Sequence, residues 1–111
     1  MKILILDDDR IFGNILSHQI SELTNGQWIC HFIQDNKHIS DLLPKVDMIL
    51  VDKHLDDCAF DSATTIKKVK SEFPNVKIIM ISSSEIQSDT LTVPFIFKDE
   101  RIAVNVTSLE N

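Results

Sequence analysis

The sequence is poor in the residues that mark several protein classes, with two glycines, three prolines and two cysteines among 111 residues. So little glycine and proline excludes collagen-like and low-complexity chains. Two cysteines do not make a disulfide framework, and reduced thiols in a cytoplasm are the expectation. The apolar run after Lys2 has four aliphatic residues, which is too short for the core of a signal peptide or for a membrane span. We therefore expect a cytoplasmic location and no membrane partner.

Basic residues are also in deficit, with 11 Lys and Arg against 17 Asp and Glu and a formal net charge of -6. This balance argues against direct binding to nucleic acid, because contact with phosphates needs a basic field. It fits a cation site or a partner with a basic patch. Hydrophobic residues make up 43% and charged residues 25%, the usual mixture of a folded protein. The length predicts one domain over residues 1–111.

Short apolar segments alternate with amphipathic segments along the chain. Five of the apolar segments predict strands: residues 3–6, 28–33, 48–51, 76–81 and 95–97. The aliphatic run of residues 3–6 is typical of a strand buried on both faces. Apolar spacings of three and four predict helices over residues 12–23, 39–43 and 63–73. Residues 102–109 fit a helix or a strand, and we favour a helix because that face of the sheet needs cover. The alternation predicts an α/β fold, a doubly wound five-stranded parallel sheet of flavodoxin-like topology.

Turn and capping residues predict the helix ends. The first helix should close at Asn25-Gly26, the second should be capped by Asp35 or Asn36 and stopped by Pro44, and the third should begin near Asp61 or Ser62. Residues 85–92 leave room for about two helical turns before the last strand. We therefore expect the fourth helix to be short.

Residues with reactive side chains follow the predicted strands where those strands end. They are Asp7-Asp8-Asp9 after the first strand, Asp52 after the third, Ser82 after the fourth and Lys98 after the fifth. In a doubly wound sheet, the carboxyl ends of the strands form the binding edge. Clustered carboxylates repel one another, and a hard divalent cation such as Mg²⁺ relieves that repulsion. A carboxylate held there can act as a nucleophile and form an aspartyl phosphate, with an ammonium and a hydroxyl on the phosphoryl oxygens.

With these residues in this order, the sequence from Lys2 to about Lys98 resembles the receiver domain of two-component response regulators. The resemblance implies that Asp52, in Ile-Leu-Val-Asp52, accepts the phosphoryl group. Ser82 in Met-Ile-Ser82-Ser83 and Lys98 in Phe-Ile-Phe-Lys98 would complete the reactive set. Such a domain is a phosphoacceptor that catalyses its own phosphorylation, and whether it counts as an enzyme stays open.

The same resemblance implies Mg²⁺ as the cofactor. Its site would be formed by the carboxylates of Asp8 and Asp52 and the backbone carbonyl of His54 as direct ligands, with Asp7 acting through a water molecule. Two residues would act as switch residues on phosphorylation, Ser82 and the aromatic Phe95. For Phe95 we favour packing in the core over a switch role, and the two roles do not exclude each other.

Several positions depart from the receiver pattern. Receivers usually follow the lysine with proline, often in a cis bond, whereas Asp99 stands here. Because a cis bond without proline costs roughly 3 kcal/mol, we expect a trans bond and a shifted loop. Asp56 and Phe60 stand in the loop that usually carries a proline and a glycine. With the short segment before the last strand, these differences indicate an altered output surface beside an intact reactive edge.

The expected function is that of a receiver phosphorylated by a histidine kinase or a histidine phosphotransfer protein. Its output would be a contact with a downstream protein, or onward phosphotransfer, because 111 residues leave no room for an output domain. The first alternative is a divergent receiver that docks a partner independently of phosphorylation. The second is a haloacid-dehalogenase-like phosphatase, since Asp7-Asp8-Asp9 contains the Asp-x-Asp of that class. Such phosphatases need an acidic pair on a further strand after the lysine, and little chain remains there.

A nucleotide or FMN binder would share the topology, but it is rejected. Its first loop should offer backbone N–H groups and hydroxyls to a phosphate. Three aspartates at that place would repel one.

Overall fold

The computed structural model describes residues 1–53, 55, 61–83 and 93–109. In chain order the elements are β1 (Lys2–Leu6), α1 (Arg10–Leu23), β2 (Ile29–Ile33), α2 (Ile39–Leu42), β3 (Met48–Asp52), α3 (Ser62–Glu72), β4 (Lys77–Ser82), β5 (Phe95–Phe97) and α4 (Ile102–Thr107), with a 3-10 turn at Leu43–Lys45 between α2 and β3. All five predicted strands and the helical prediction for the tail are confirmed. The predicted short helix over residues 85–92 and the loop positions Asp56 and Phe60 lie outside the described residues.

The strands form one parallel sheet in the order β2-β1-β3-β4-β5. The chain therefore starts in the sheet interior, moves out to β2, and crosses back over β1 to build the other half. This reversal places the ends of β1 and β3 side by side, with Leu6 paired to Val51. Ligands bind doubly wound sheets at such a reversal.

Each face of the sheet carries its own apolar layer. Along β1, Leu4 and Leu6 face the layer that includes Ile66 and Val69 of α3. The alternate residues of the strand, including Ile5, face the layer formed by α1 and α4. Since successive side chains point to opposite faces, a strand covered on both sides must be apolar throughout. This explains the unbroken aliphatic run that predicted β1.

Helix α1 packs closely on the edge strand β2. A Cβ atom at Gly13 would overlap the ring of Phe32, so only glycine allows this approach. The helix ends where the sequence predicted, since Asn25 and Gly26 have φ angles of 53° and 77°. Such positive φ values stop a helix and suit asparagine and glycine.

The second helix begins at Ile39 as predicted, but its predicted cap and its predicted stop were wrong. His38 precedes α2 and its side chain makes no capping hydrogen bond. Asn36 is instead buried, and its side-chain amide donates to Thr65 Oγ1 of α3 at 2.8 Å. Pro44 does not end the helical segment but lies within the 3-10 turn, because proline is tolerated in the first turn of a helix. For α3 the prediction is confirmed, since the Asp61 side chain accepts a hydrogen bond from Thr64 N at 2.8 Å.

Two further observations concern the backbone of the described residues. The described residues contain no cis peptide bond, so the Lys98–Asp99 bond is trans as expected. Among the same residues, no helix combines the length and the apolar character that a bilayer crossing requires.

Cys30 of β2 gives the fold a measurable pH dependence. The side chain packs against the layer of α1 and α4, and burial raises the pKa of its thiol from 9.0 to about 11. Because the unfolded thiol ionises first, this contribution to stability is complete below pH 9 and is lost as the pH rises towards 11. We expect the free energy of urea unfolding to fall less steeply over this range in Cys30→Ala than in the parent. Identical slopes for the two proteins would contradict this.

Candidate phosphoacceptor and metal site

The predicted reactive residues lie at the carboxyl edge of the sheet. Asp7 directly follows β1, Asp52 is the last residue of β3, Ser82 is the last residue of β4, and Lys98 directly follows β5. Asp7, Asp52 and Ser82 are almost completely buried. Carboxylates are rarely buried without a partner, so their surroundings decide what this edge can do.

The three consecutive aspartates have different roles. Asp7 Oδ1 accepts a hydrogen bond from the backbone N–H of Asp9 at 2.9 Å, which turns the chain out of the sheet. Asp9 caps α1 by accepting from Phe12 N at 3.1 Å, and it is exposed. Asp8 lies between them and is partly buried. The turn at Asp7 and the helix cap at Asp9 therefore keep the carboxylates of Asp7 and Asp8 near the sheet edge.

Lys98 joins the ends of β1 and β3. Its Nζ lies 2.6 Å from Asp7 Oδ2 and 2.9 Å from Asp52 Oδ1. It also lies 4.7 Å from the centre of the Phe12 ring, a distance at which a ring face attracts a cation. Its backbone N–H donates to Ser82 O at 2.8 Å, so the lysine is fixed to β4 by its main chain.

The two carboxylates keep this lysine charged. Burial by itself would lower the pKa of Lys98, but the hydrogen bonds and negative charges of Asp7 and Asp52 outweigh burial and raise the pKa above its ordinary value of 10.5. The ammonium is therefore protonated at neutral pH. It supplies one positive charge to a group of three carboxylates.

The remaining negative charge suits a cation. Asp7, Asp8 and Asp52 each offer a carboxylate oxygen, and these oxygens all lie within 4.8 Å of one another. An all-oxygen donor set with net negative charge is what Mg²⁺ prefers. The residues present therefore fit the predicted metal. The fourth predicted ligand, the carbonyl of His54, lies outside the described residues.

Phe95 is not a core residue, and that part of the expectation was wrong. Its side chain is 38% exposed and packs edge-to-face on Phe97, with ring centroids 5.3 Å apart. The reason is its place on an edge strand: Ile96 alone of the three β5 residues packs against the layer of α1 and α4. Its role as a switch residue stays a prediction.

Two residues near the site were not predicted. Phe12 contacts the lysine by its ring, and Ser62 donates to the backbone of Asp52. The spacing of Phe12 in α1 indicated a core residue, and Ser62 was predicted only as a helix start. Neither role has a local signal, because each depends on which elements the fold brings together.

The sheet order, the parallel pairing and the helices on both faces define a flavodoxin-like receiver fold. Within the described residues Lys98 is followed by α4 and not by a further strand, which removes the arrangement that the phosphatase alternative requires. No protein-family model matches the chain, and no curated protein matches it in sequence.

Solved structures of receiver domains match almost the whole chain. The signal receiver domain of a DNA-binding response regulator (merR) from Colwellia psychrerythraea has a TM-score of 0.80 at 18% identity, and the match covers 98% of this chain and 97% of that one. The receiver domain of NtrX from Brucella abortus has a TM-score of 0.76 at 16% identity, with 96% and 94% covered. RcsB from Salmonella enterica serovar Typhimurium, bound to the promoter rprA in the presence of the phosphomimetic BeF3-, has a TM-score of 0.79 at 18% identity, with 99% and 68% covered. At these identities the likeness shows a shared fold.

Proposed function

We propose that residues 1–111 form a single response-regulator receiver domain that accepts a phosphoryl group on Asp52 with Mg²⁺. The donor would be the phosphohistidine of a histidine kinase or of a histidine phosphotransfer protein. The observation that carries this proposal is the junction of Asp7, Asp8, Asp52 and Lys98 at the reversal of strand order. A phosphoryl group needs this set of charges, since its transfer depends on positioning and charge neutralisation.

Asp52 is the nucleophile in this proposal. One of its carboxylate oxygens attacks the phosphorus, an O–P bond forms, and the N–P bond of the phosphohistidine breaks with its electron pair going to the imidazole. A carboxylate nucleophile carries no proton that must be removed, so this step needs no general base. Burial beside Asp7 and Lys98 fixes its position, which is the main requirement for such a reaction.

The other residues would receive the charge of the transferred group. Lys98, already 2.9 Å from Asp52, would pair with a phosphoryl oxygen, and the Ser82 hydroxyl would bind another. Asp7, Asp8 and Asp52 would hold Mg²⁺ together with the carbonyl of His54, and the ion would neutralise negative charge on the phosphoryl oxygens. Ser82 and Phe95 would then report the phosphorylated state to a downstream protein in the cytoplasm.

Intact mass after incubation with a small phosphodonor tests this function. With acetyl phosphate and Mg²⁺ we expect the parent to gain one phosphoryl group, and we expect no gain with EDTA or in Asp52→Asn. Asparagine keeps the shape of the side chain and removes the nucleophilic oxygen. A parent without adduct would contradict phosphorylation and favour the docking module. Partner binding that changes neither with the phosphodonor nor with Asp52→Asn would also favour the docking module.

A further inference from the structure

A buried serine at the start of α3 holds the end of the strand that carries Asp52. Ser62 is the first residue of α3 and is 6% exposed. Its Oγ lies 2.5 Å from the carbonyl oxygen of Asp52 and 2.6 Å from that of Lys53, so the single hydroxyl proton is shared between these two acceptors. One hydroxyl therefore binds two successive backbone carbonyls, nine and ten residues before it in the chain.

This contact marks the point where the chain leaves the sheet. In an extended strand, successive carbonyls point in opposite directions, so two of them meet at one hydroxyl only where the chain bends. The sheet pairing continues up to this point, since Lys53 N donates to Ile81 O at 2.9 Å. Ser62 thus contacts the chain at Asp52 and Lys53, where the sheet pairing of β3 ends.

We propose that Ser62 is a positioning residue for the phosphoacceptor and metal site. It acts through the backbone by fixing the direction in which the chain leaves β3 after Asp52, and it touches neither metal nor phosphoryl group. This inference rests on the proposed function, because it concerns the same site. Groups that orient metal ligands from the next layer are typically worth 10–100-fold in metal affinity or activity.

The serine is not needed to begin the helix. Asp61 caps α3 by accepting from Thr64 N, and this bond is independent of the Ser62 hydroxyl. A smaller side chain at position 62 would remove this contact with the carbonyls of Asp52 and Lys53. The direction of the chain after Asp52 would then be held less firmly, because a hydrogen bond stabilises the conformation that forms it.

The same helical turn provides a matched control. Thr65 is 1% exposed, accepts from the Asn36 side chain at 2.8 Å and donates to Asp61 O at 2.9 Å. It is thus a buried hydroxyl of α3 that binds a different part of the protein. Ser62→Ala and Thr65→Val each remove one buried hydroxyl, and only the first touches the strand that carries Asp52.

The experiment measures binding of Mg²⁺ alone by titration calorimetry, together with melting temperatures in EDTA. We expect both variants to melt about 4–8 °C below the parent, as a loss of about 1 kcal/mol on removal of one buried hydroxyl in a domain of this size implies. The Mg²⁺ dissociation constant should rise about tenfold in Ser62→Ala and stay within twofold of the parent in Thr65→Val. Ser62→Cys, whose thiol is a weak donor of similar size, should fall between the parent and Ser62→Ala. If Ser62→Ala does not fold, the Mg²⁺ dissociation constant of Ser62→Cys is compared with that of the parent instead.

The outcomes separate the two proposals. A parent that binds no Mg²⁺ would overturn the proposed function and this inference with it. A parent that binds Mg²⁺ with the same affinity as Ser62→Ala or Ser62→Cys would overturn the positioning role alone. An equal loss of affinity in Thr65→Val would also overturn it, because the effect would then follow general destabilisation.

Discussion

Exchange of Lys98 for methionine is expected to lower the free energy of unfolding of the metal-free protein by about 3–5 kcal/mol, the usual cost of removing one partner from a buried ion pair. The Lys98 side chain is 14% exposed, whereas those of Asp7 and Asp52 are 0% and 4% exposed. Methionine fills similar space but leaves two buried carboxylates 2.6 and 2.9 Å from where the ammonium lay. Their mutual repulsion and lost hydration then act against folding.

Urea unfolding in EDTA measures this effect, with Lys68→Met as the matched control. Lys68 pairs with Glu72 across one helical turn at 3.4 Å, and both side chains are well exposed, so the control should lose no more than about 0.5 kcal/mol. Adding Asp7→Asn to Lys98→Met should restore part of the stability, because one buried charge is removed. If Lys98→Met were as stable as Lys68→Met, burial of the Asp7 and Asp52 carboxylates would not depend on Lys98, and the prediction would be wrong.

Magnesium is expected to stabilise the folded protein, because the cluster of Asp7, Asp8 and Asp52 exists only in the folded state. At a Mg²⁺ concentration 100 times the dissociation constant, the free energy of unfolding should rise by about 2.7 kcal/mol. The rise should be larger in Lys98→Met, since no ammonium then competes with the ion for Asp7 and Asp52. Thermal melts with MgCl₂ against NaCl at equal ionic strength measure the difference.

Substitutions at two neighbouring aspartates test whether the stabilisation by Mg²⁺ comes from the carboxylate cluster. Asp8→Asn removes one carboxylate of the cluster and should abolish most of the stabilisation by Mg²⁺. Asp9→Asn removes a charge one residue further on, outside the cluster, and keeps the helix cap, since asparagine caps as well as aspartate. It should respond to Mg²⁺ as the parent does. A melting temperature that Mg²⁺ leaves unchanged in the parent would contradict the metal site.

The strands and the edge at which they end could be predicted from the sequence, because they depend on local pattern and on general sheet topology. Unbroken apolar runs ended by Asp7 and Asp52 predicted buried parallel strands, and parallel strands bring their carboxyl ends to one edge. The tail was ambiguous because Ile102, Val104 and Val106 alternate as in a strand. The structure resolves it as a helix, with Ile102 and Val106 buried and Val104 40% exposed.

The contacts that could not be predicted join residues distant in the chain. Asn36 was one of two predicted caps of the second helix, beside Asp35, yet its amide binds Thr65, 29 residues away. Ser62 was one of two predicted starts of the third helix, beside Asp61, and it also binds the end of β3. A polar side chain near a helix end has a local partner and a distant one available, and only packing decides between them. The chemical roles of Asp52, Ser82 and Lys98 stay predictions until the adduct is measured.

The lysine between Asp7 and Asp52 gives the protein an internal counterion. Many metal-binding domains fold only when the ion arrives, so their abundance follows the supply of metal. Here the positive charge that keeps the acidic edge folded is part of the chain itself. If Asp52 accepts a phosphoryl group with Mg²⁺ as proposed, a fall in cellular magnesium should therefore stop that reaction while leaving the protein folded.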